Sequence, residues 1–82
     1  MSNETLTPFS QEARELKGLF EHYSGRRYEI VGVSRHSETL EEMVVYRALY
    51  GERDMWVRPL AMFLESVEIK GVRQPRFRSV KG

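Results

Sequence analysis

The sequence predicts a small, mainly β protein in which one short helix precedes about five short strands. Apolar and polar residues alternate with a period of two over much of the chain, which is typical of strands with one buried face. Glycine-containing turns separate these segments at intervals of about ten residues. Pro59 stands where one strand must end, because proline cannot donate a ladder hydrogen bond. This spacing favours a small barrel or a rolled sheet.

The N-terminal part of the chain predicts one helix and no strand. Residues 1–9 carry no apolar period and are predicted to be disordered. Ser10 is suited to cap a helix over residues 11–17, and Gly18 is suited to end it. Two turns of helix are too few to be stable alone, so we expect Leu16 to dock on the rest of the protein.

The remaining elements follow from the alternation. Strands are predicted over residues 19–23, 27–35, 43–50, 55–58 and 67–70, with a single helical turn after Pro59. Strict alternation puts Ile30 and Val33 on opposite faces of the second strand. In the third strand, it puts Val44 and Tyr46 on one face and Arg47 on the other. Residues 72–75 are predicted to form a turn.

The length of the chain indicates one domain. A chain of 82 residues has a modest core and a small stability margin. We expect a single β-barrel domain over residues 10–78, with Phe77 anchoring its end. Residues 79–82 are predicted to form a flexible basic tail.

Composition excludes several kinds of site. The chain has no cysteine, which removes thiol catalysis and thiolate zinc sites and is typical of cytoplasmic proteins. His22 and His36 do not have metal-ligand spacing, and the glycines form no phosphate loop. We therefore predict no metal and no cofactor. The polar N-terminus predicts neither a signal peptide nor a membrane span, so no membrane partner is expected.

Arginine is the more informative part of the charge pattern. The net charge is +1, which indicates no nucleic-acid or membrane partner by itself. Arginine heavily outnumbers lysine, and its planar guanidinium is suited to bidentate pairing with a carboxylate or a phosphate. The alternative is that these arginines pair with the nearly equal number of acidic residues in the same chain.

Residues 35–63 hold the candidate binding site. Pairing of the third and fourth strands would bring Arg47 within cross-strand reach of Trp56 and Arg58. The arginines would then face an anion, and Trp56 would supply a flat apolar wall. In the structural alternative, the arginines pair with acidic residues of the loop over residues 36–42. The predicted binding residues are Arg35, His36, Glu38, Arg47, Trp56 and Arg58.

The loop that begins at His36 also suggests an enzyme. The sequence His-Ser-Glu-Thr at residues 36–39 supplies an imidazole, a hydroxyl and a carboxylate, the groups of acid–base and nucleophilic catalysis. Adjacent residues of an extended segment point to opposite sides, so His36 and Ser37 should not face each other. We therefore predict no catalytic residue here. Hydrogen bonds from Ser37 and Thr39 to the backbone are expected to hold the loop instead.

Three segments carry a resemblance to a known family. They are RHSET at residues 35–39, VYRALYG at 45–51 and WVRPL at 56–60. The chain from about residue 18 to 77 resembles the domain-of-unknown-function family 1653, a group of small bacterial proteins. The resemblance implies an SH3-like β-barrel, and it implies no activity.

These observations predict a cytoplasmic binding module that recognises an anionic partner, which could be a peptide or ligand carboxylate or a phosphate. One alternative is a module for RNA or single-stranded nucleic acid, in which aromatic residues stack on bases. A second alternative is a small enzyme centred on His36. The sequence leaves the identity of the partner open.

Overall fold

The protein folds into seven short strands and two short helices within residues 8–80, which are the residues that this computed structural model describes. The elements are α1 (Gln11–Glu15), β1 (Leu19–His22), β2 (Arg27–Arg35), β3 (Glu42–Ala48), β4 (Met55–Pro59), α2 (Leu60–Phe63), β5 (Ser66–Ile69), β6 (Val72–Pro75) and β7 (Phe77–Val80). The mainly β prediction is confirmed. Within the described residues, no helix is long and apolar enough to span a membrane.

The strands form two antiparallel sheets. The larger sheet has the order β4-β3-β2-β1-β7, and the smaller one consists of β5 and β6. β7 returns to pair with β1, so the last strand completes one side of the large sheet. Among the described strands, β4 and β7 do not pair with each other to close this sheet. The closed SH3-like barrel therefore stays a prediction.

Aromatic rings form the centre of the core. Phe63 of α2 and Phe77 of β7 stack with their ring centroids 4.2 Å apart and their planes within 6°. Tyr46 of β3 meets both rings edge-to-face and is only 4% exposed. Val44, on the same face of β3, is completely buried. The predicted inner face of β3 is thus correct, and the sheet packs that face against α2.

A β-bulge in β2 overturns one predicted face. Ile30 pairs with Tyr46 and Gly32 pairs with Val45, so Val31 is an extra residue in the ladder. Because the extra residue resets the alternation, Val33 points to the same side as Ile30 and packs on the core. Val31 is left 51% exposed. The predicted opposition of Ile30 and Val33 is wrong for this reason.

The C-terminal part contains two strands that the sequence did not predict. Residues 72–75 were expected to form a turn, but they form β6. The reversal is tighter than expected: Lys70 and Gly71 both have positive φ, at 53° and 79°, as in a two-residue hairpin turn. Ser79 and Val80 belong to β7, so the ordered sheet extends past the predicted domain end at residue 78. Residues 81–82 of the predicted tail lie outside the described residues.

The N-terminal helix is shorter than predicted, although its cap is correct. The Ser10 hydroxyl accepts a hydrogen bond from the Ala13 amide at 3.2 Å, and α1 ends at Glu15. Leu16 is already extended and packs on the core, as expected for a helix this short. Predicted disorder at residues 1–7 lies outside the described residues. Phe9, which was predicted to be disordered with them, packs against the core.

The bulge predicts unequal effects for two valines in the same strand. Val33→Ala should lower the free energy of unfolding by roughly 1–2 kcal/mol, because it removes methyl groups from the core. Val31→Ala should change it by less than about 0.5 kcal/mol, because that side chain is exposed. Urea denaturation of both variants measures the difference. Equal losses would show that the two side chains share one face and that the bulge is absent.

Candidate functional site

A cavity of about 190 Å³ opens beside the aromatic core, and we call it the aromatic cavity. Strands β1 to β4 and β7, with the segment after β3, place six rings and one guanidinium around it. The lining residues are His22, Tyr28, Tyr46, Tyr50, Trp56, Arg58 and Phe77. Trp56 stands opposite Tyr46 in the ladder, and Arg58 stands opposite Val44. Directly paired residues share a face, so Trp56 and Arg58 both lie on the core side of the sheet.

Arg58 is the cation of the aromatic cavity. Its Nε donates a hydrogen bond to the Tyr46 hydroxyl at 3.2 Å, and its guanidinium carbon lies 5.7 Å from the centre of the Phe77 ring. Both contacts fix the guanidinium plane against aromatic surface. No carboxylate within residues 8–80 forms an ion pair with Arg58. The predicted structural alternative, in which an acidic residue of the loop neutralises it, does not occur in this part of the chain.

Two tyrosine hydroxyls form the polar part of the wall. The Tyr28 and Tyr50 hydroxyl oxygens are 2.8 Å apart. Burial, followed by the hydrogen bond to Tyr50, raises the pKa of Tyr28 to about 12. The pKa of Tyr50 is lowered by its hydrogen bond with Tyr28 and by the Arg26 guanidinium, which lies 4.7 Å from the centre of its ring. Either hydroxyl can donate in this pair.

His22 lines the aromatic cavity as an imidazole that is neutral at neutral pH. Burial lowers its pKa, and the positive charges of Arg58 and Arg76 lower it further. Its Nδ1 accepts a hydrogen bond from the Ser24 amide at 3.2 Å, so the proton of the neutral ring is on Nε2. The ring meets Phe77 edge-to-face at 5.0 Å. A neutral imidazole leaves Arg58 as the cation among the groups that line the aromatic cavity.

Two larger clefts have less suitable chemistry. One, of about 300 Å³, is bordered by Arg78, which already forms an ion pair with Glu21 at 2.8 Å. The other, of about 250 Å³, is lined by Glu12, Glu41 and Glu42 together with apolar residues around α2. Of the three sites, only the aromatic cavity presents an arginine that makes no ion pair within residues 8–80.

The structure divides the predicted binding residues into three places. Trp56 and Arg58 line the aromatic cavity. Arg47 pairs with Met55 and lies on the opposite face of the sheet, where its guanidinium contacts the Met55 sulfur at 3.2 Å and the Arg53 carbonyl at 3.4 Å. The expected cluster of Arg47 with Trp56 and Arg58 is therefore not formed. A register one residue different would have united them.

The remaining predicted residues lie at the end of β2 and in the loop that follows it. His36 Nδ1 accepts hydrogen bonds from the amides of Glu38 and Thr39, at 3.1 and 3.3 Å. Arg35 donates to the Leu40 carbonyl at 3.3 Å and lies over the Phe9 ring. These contacts shape the loop and place none of the three residues Arg35, His36 and Glu38 in the wall of the aromatic cavity.

The hydroxyls of this loop act only partly as predicted. The Thr39 hydroxyl accepts a hydrogen bond from the Glu41 amide at 3.2 Å, as expected. The Ser37 hydroxyl instead donates to the carboxylate of Glu38 at 3.3 Å. The His36 ring makes the hydrogen bonds to the loop backbone that were predicted for Ser37. Within residues 8–80, no group of three or more potential metal ligands is present.

Comparison with known proteins now identifies the family. The sequence model of a family described as proteins of unknown function, DUF1653, matches residues 18–79. The chain belongs to the DUF1653 family. A crystal structure of a DUF1653 protein from Bordetella bronchiseptica is 35% identical and superposes with a TM-score of 0.75. The alignment covers 83% of this chain and 91% of that chain. The comparison with curated proteins gave no significant match.

The family assignment covers the whole aromatic cavity. All seven lining residues fall within the matched residues 18–79. The predicted binding residues included only Trp56 and Arg58 of this lining. Sequence reasoning missed His22, Tyr28 and Phe77, because they lie far from residues 35–63 along the chain, and it left out Tyr46 and Tyr50 within that stretch. The available signal was that Tyr28, like Tyr46, alternates onto an inner face. α1 lies before the matched region.

The charge of Arg58 should contribute to the lowered pKa of His22. Arg58→Ala should raise that pKa towards the ordinary value of 6.5, although burial should keep it below. Arg58→Lys keeps the positive charge and should leave the pKa near that of the wild type. NMR titration of the His22 ring protons measures both. Because the folded-state pKa is lowered, His22 should also make the protein less stable as the pH falls below 6.5. Identical His22 titrations in the two variants would contradict this electrostatic coupling.

Proposed function

We propose that this DUF1653 protein is a binding module that recognises a small anionic group attached to a flat apolar group, through the aromatic cavity. The observation that carries the proposal is Arg58: a partly buried guanidinium, held against aromatic rings and without a carboxylate partner in residues 8–80. A guanidinium in this setting is suited to a carboxylate or a phosphate.

The size of the aromatic cavity limits what it can hold. A cavity of roughly 150 Å³ accommodates benzene, so about 190 Å³ accommodates one ring or one side chain. The anion would contact Arg58, and the flat part would lie against Trp56 and the tyrosine rings. The Tyr50 hydroxyl, which is hydrogen-bonded to Tyr28, offers a further polar contact. The occupant is therefore one group of a peptide or of a small molecule.

A binding role suits these groups better than catalysis. The Tyr28–Tyr50 pair has its phenols in a mutual hydrogen bond, and Arg58 keeps its charge and is suited to hold an anion instead of exchanging a proton. Outside the aromatic cavity, His36 Nδ1 is engaged by two backbone amides of its own loop. We place the protein in the bacterial cytoplasm, since it contains no cysteine and its structural relative comes from a bacterium.

Benzoate provides a direct test of the charge and of the flat group together. Trp56 is the single tryptophan, so its indole N–H signal reports on the aromatic cavity without ambiguity. Titration of the wild type with benzoate should shift this NMR signal. Arg58→Ala should weaken binding by roughly tenfold or more, because a charge-assisted hydrogen bond is lost. Arg47→Ala is the matched control and should bind as the wild type does, since Arg47 lies on the opposite face.

A neutral probe and a probe without a ring separate the requirement for a negative charge from the requirement for a flat apolar group. Benzamide has the same shape without the charge, and acetate has the charge without the ring, so each should bind more weakly than benzoate. Equal binding of benzoate and benzamide, or equal losses in Arg58→Ala and Arg47→Ala, would contradict the proposal.

A nucleic-acid module is the second candidate, because Trp56 is 51% exposed and could stack on a base beside Arg58. This candidate predicts that a single-stranded oligonucleotide binds with a steep dependence on salt concentration. Binding measured by fluorescence anisotropy over a range of salt concentrations provides the test. A shallow dependence, with benzoate competing for the same Trp56 signal, would favour the small anionic ligand instead.

A further inference from the structure

The outer edge of β4 combines exposure with free backbone groups. β4 is the last strand of the large sheet, and within residues 8–80 no strand pairs with its outer side. Three consecutive apolar side chains are more than half exposed there: Met55 at 52%, Trp56 at 51% and Val57 at 58%. An apolar edge strand of this kind is a template for pairing with another strand. At the opposite edge, β7 presents Arg78 and Ser79 instead.

The hydrogen-bonding pattern shows which backbone groups are available. The Ala48 amide donates to the Asp54 carbonyl at 2.9 Å. Hydrogen-bonded pairs recur at every second residue of an antiparallel ladder, so Trp56 and Arg58 direct their backbone groups towards β3. Met55 and Val57 then direct theirs towards the open edge. Pro59 faces the same edge, which is the position that a proline can take in a strand.

The sequence of β4 complements itself about Val57. We propose that two copies of the chain pair through β4, antiparallel, with Val57 next to Val57 of the second copy on the two-fold axis. Met55 then lies opposite Pro59 of the second copy, and the Met55 amide can donate to that carbonyl. Pro59 has no amide hydrogen, but it lies at the end of the ladder, so no hydrogen bond within the ladder is interrupted.

The same register places the aromatic side chain of one copy beside the charged side chain of the other. Trp56 lies opposite Arg58 of the second copy in a pair without backbone hydrogen bonds, the kind in which side chains approach most closely. A guanidinium beside an indole forms a favourable cation–π contact. This happens twice, once on each side of the axis, and on the face that carries the aromatic cavity. Each copy thereby contributes Arg58 to the rim of the other copy's aromatic cavity.

The proposed dimer goes beyond the proposed function, because it depends on the edge of β4 and not on a ligand. Two strands of five residues bury less surface than a stable interface of standard size. The dimer should therefore be reversible and depend on concentration. Charge repulsion does not oppose it on the outer face, where Val57 and Met55 meet apolar partners.

Sedimentation velocity over about a hundredfold range of concentration tests the pairing. The wild type should change from monomer to dimer across the series. Val57→Lys should raise the dissociation constant by roughly tenfold or more, because it places two like charges directly opposite each other. Val72→Lys is the matched control: Val72 is 61% exposed on β6 and should not affect the dimer. Thermal unfolding of both variants confirms that they are folded.

A disulfide reports the register independently. The natural chain has no cysteine, so Val57→Cys carries a single thiol. Directly paired strand residues lie within the Cα separation that a disulfide spans. Oxidised Val57→Cys should cross-link much faster than Val72→Cys. A monomeric wild type throughout the series, equal effects of the two lysine variants, or equal cross-linking rates would overturn the proposal.

Discussion

The packing of Phe63, Phe77 and Tyr46 is the interaction on which the rest of the structure depends. Phe63 comes from the helical turn after β4, and Phe77 begins the strand that returns to β1. Their stacking therefore joins the C-terminal part of the chain to the centre of the sheet. Tyr46 has its ring in this core and its hydroxyl bonded to Arg58. The same residue thus supports the core and orients the cation of the aromatic cavity.

The strand faces could be predicted from sequence where the alternation is unbroken. β3 keeps a strict period, so Val44 and Tyr46 were placed correctly in the core. β2 contains a bulge at Val31. Because valines occupy both positions 31 and 33, the apolar pattern of the sequence does not show which of the two is buried. Gly32 was the available signal, because glycine within a strand often accompanies a bulge. The hairpin at Lys70 and Gly71 was missed because a lysine seldom takes the left-handed conformation.

The site was harder to predict than the fold, because it depends on register. Trp56 and Arg58 were identified correctly as neighbours, since residues two apart in a strand share a face. Arg47 would share their face only if it paired with an even-numbered residue of β4. The length of the turn between β3 and β4 decides that pairing. Arg47 pairs with Met55 and is excluded. His22 and Tyr28 reach the aromatic cavity only because β1 and β2 pair beside β3, and that is a property of the topology.

Arg58 is a partly buried charge in the aromatic cavity that has no acidic partner within residues 8–80. Burial among rings weakens the solvation of a guanidinium, and an acidic neighbour would normally compensate. Here the compensation within residues 8–80 comes from the Tyr46 hydroxyl and the face of Phe77, both of which are weaker partners than a carboxylate. Burial lowers the pKa of His22, and the charge of Arg58 lowers it further. An anion that enters the aromatic cavity would therefore compensate for the weakened solvation of Arg58. It would also reduce the repulsion between Arg58 and a protonated His22. Both effects favour binding, and the second makes binding stronger as the pH falls towards the pKa of His22.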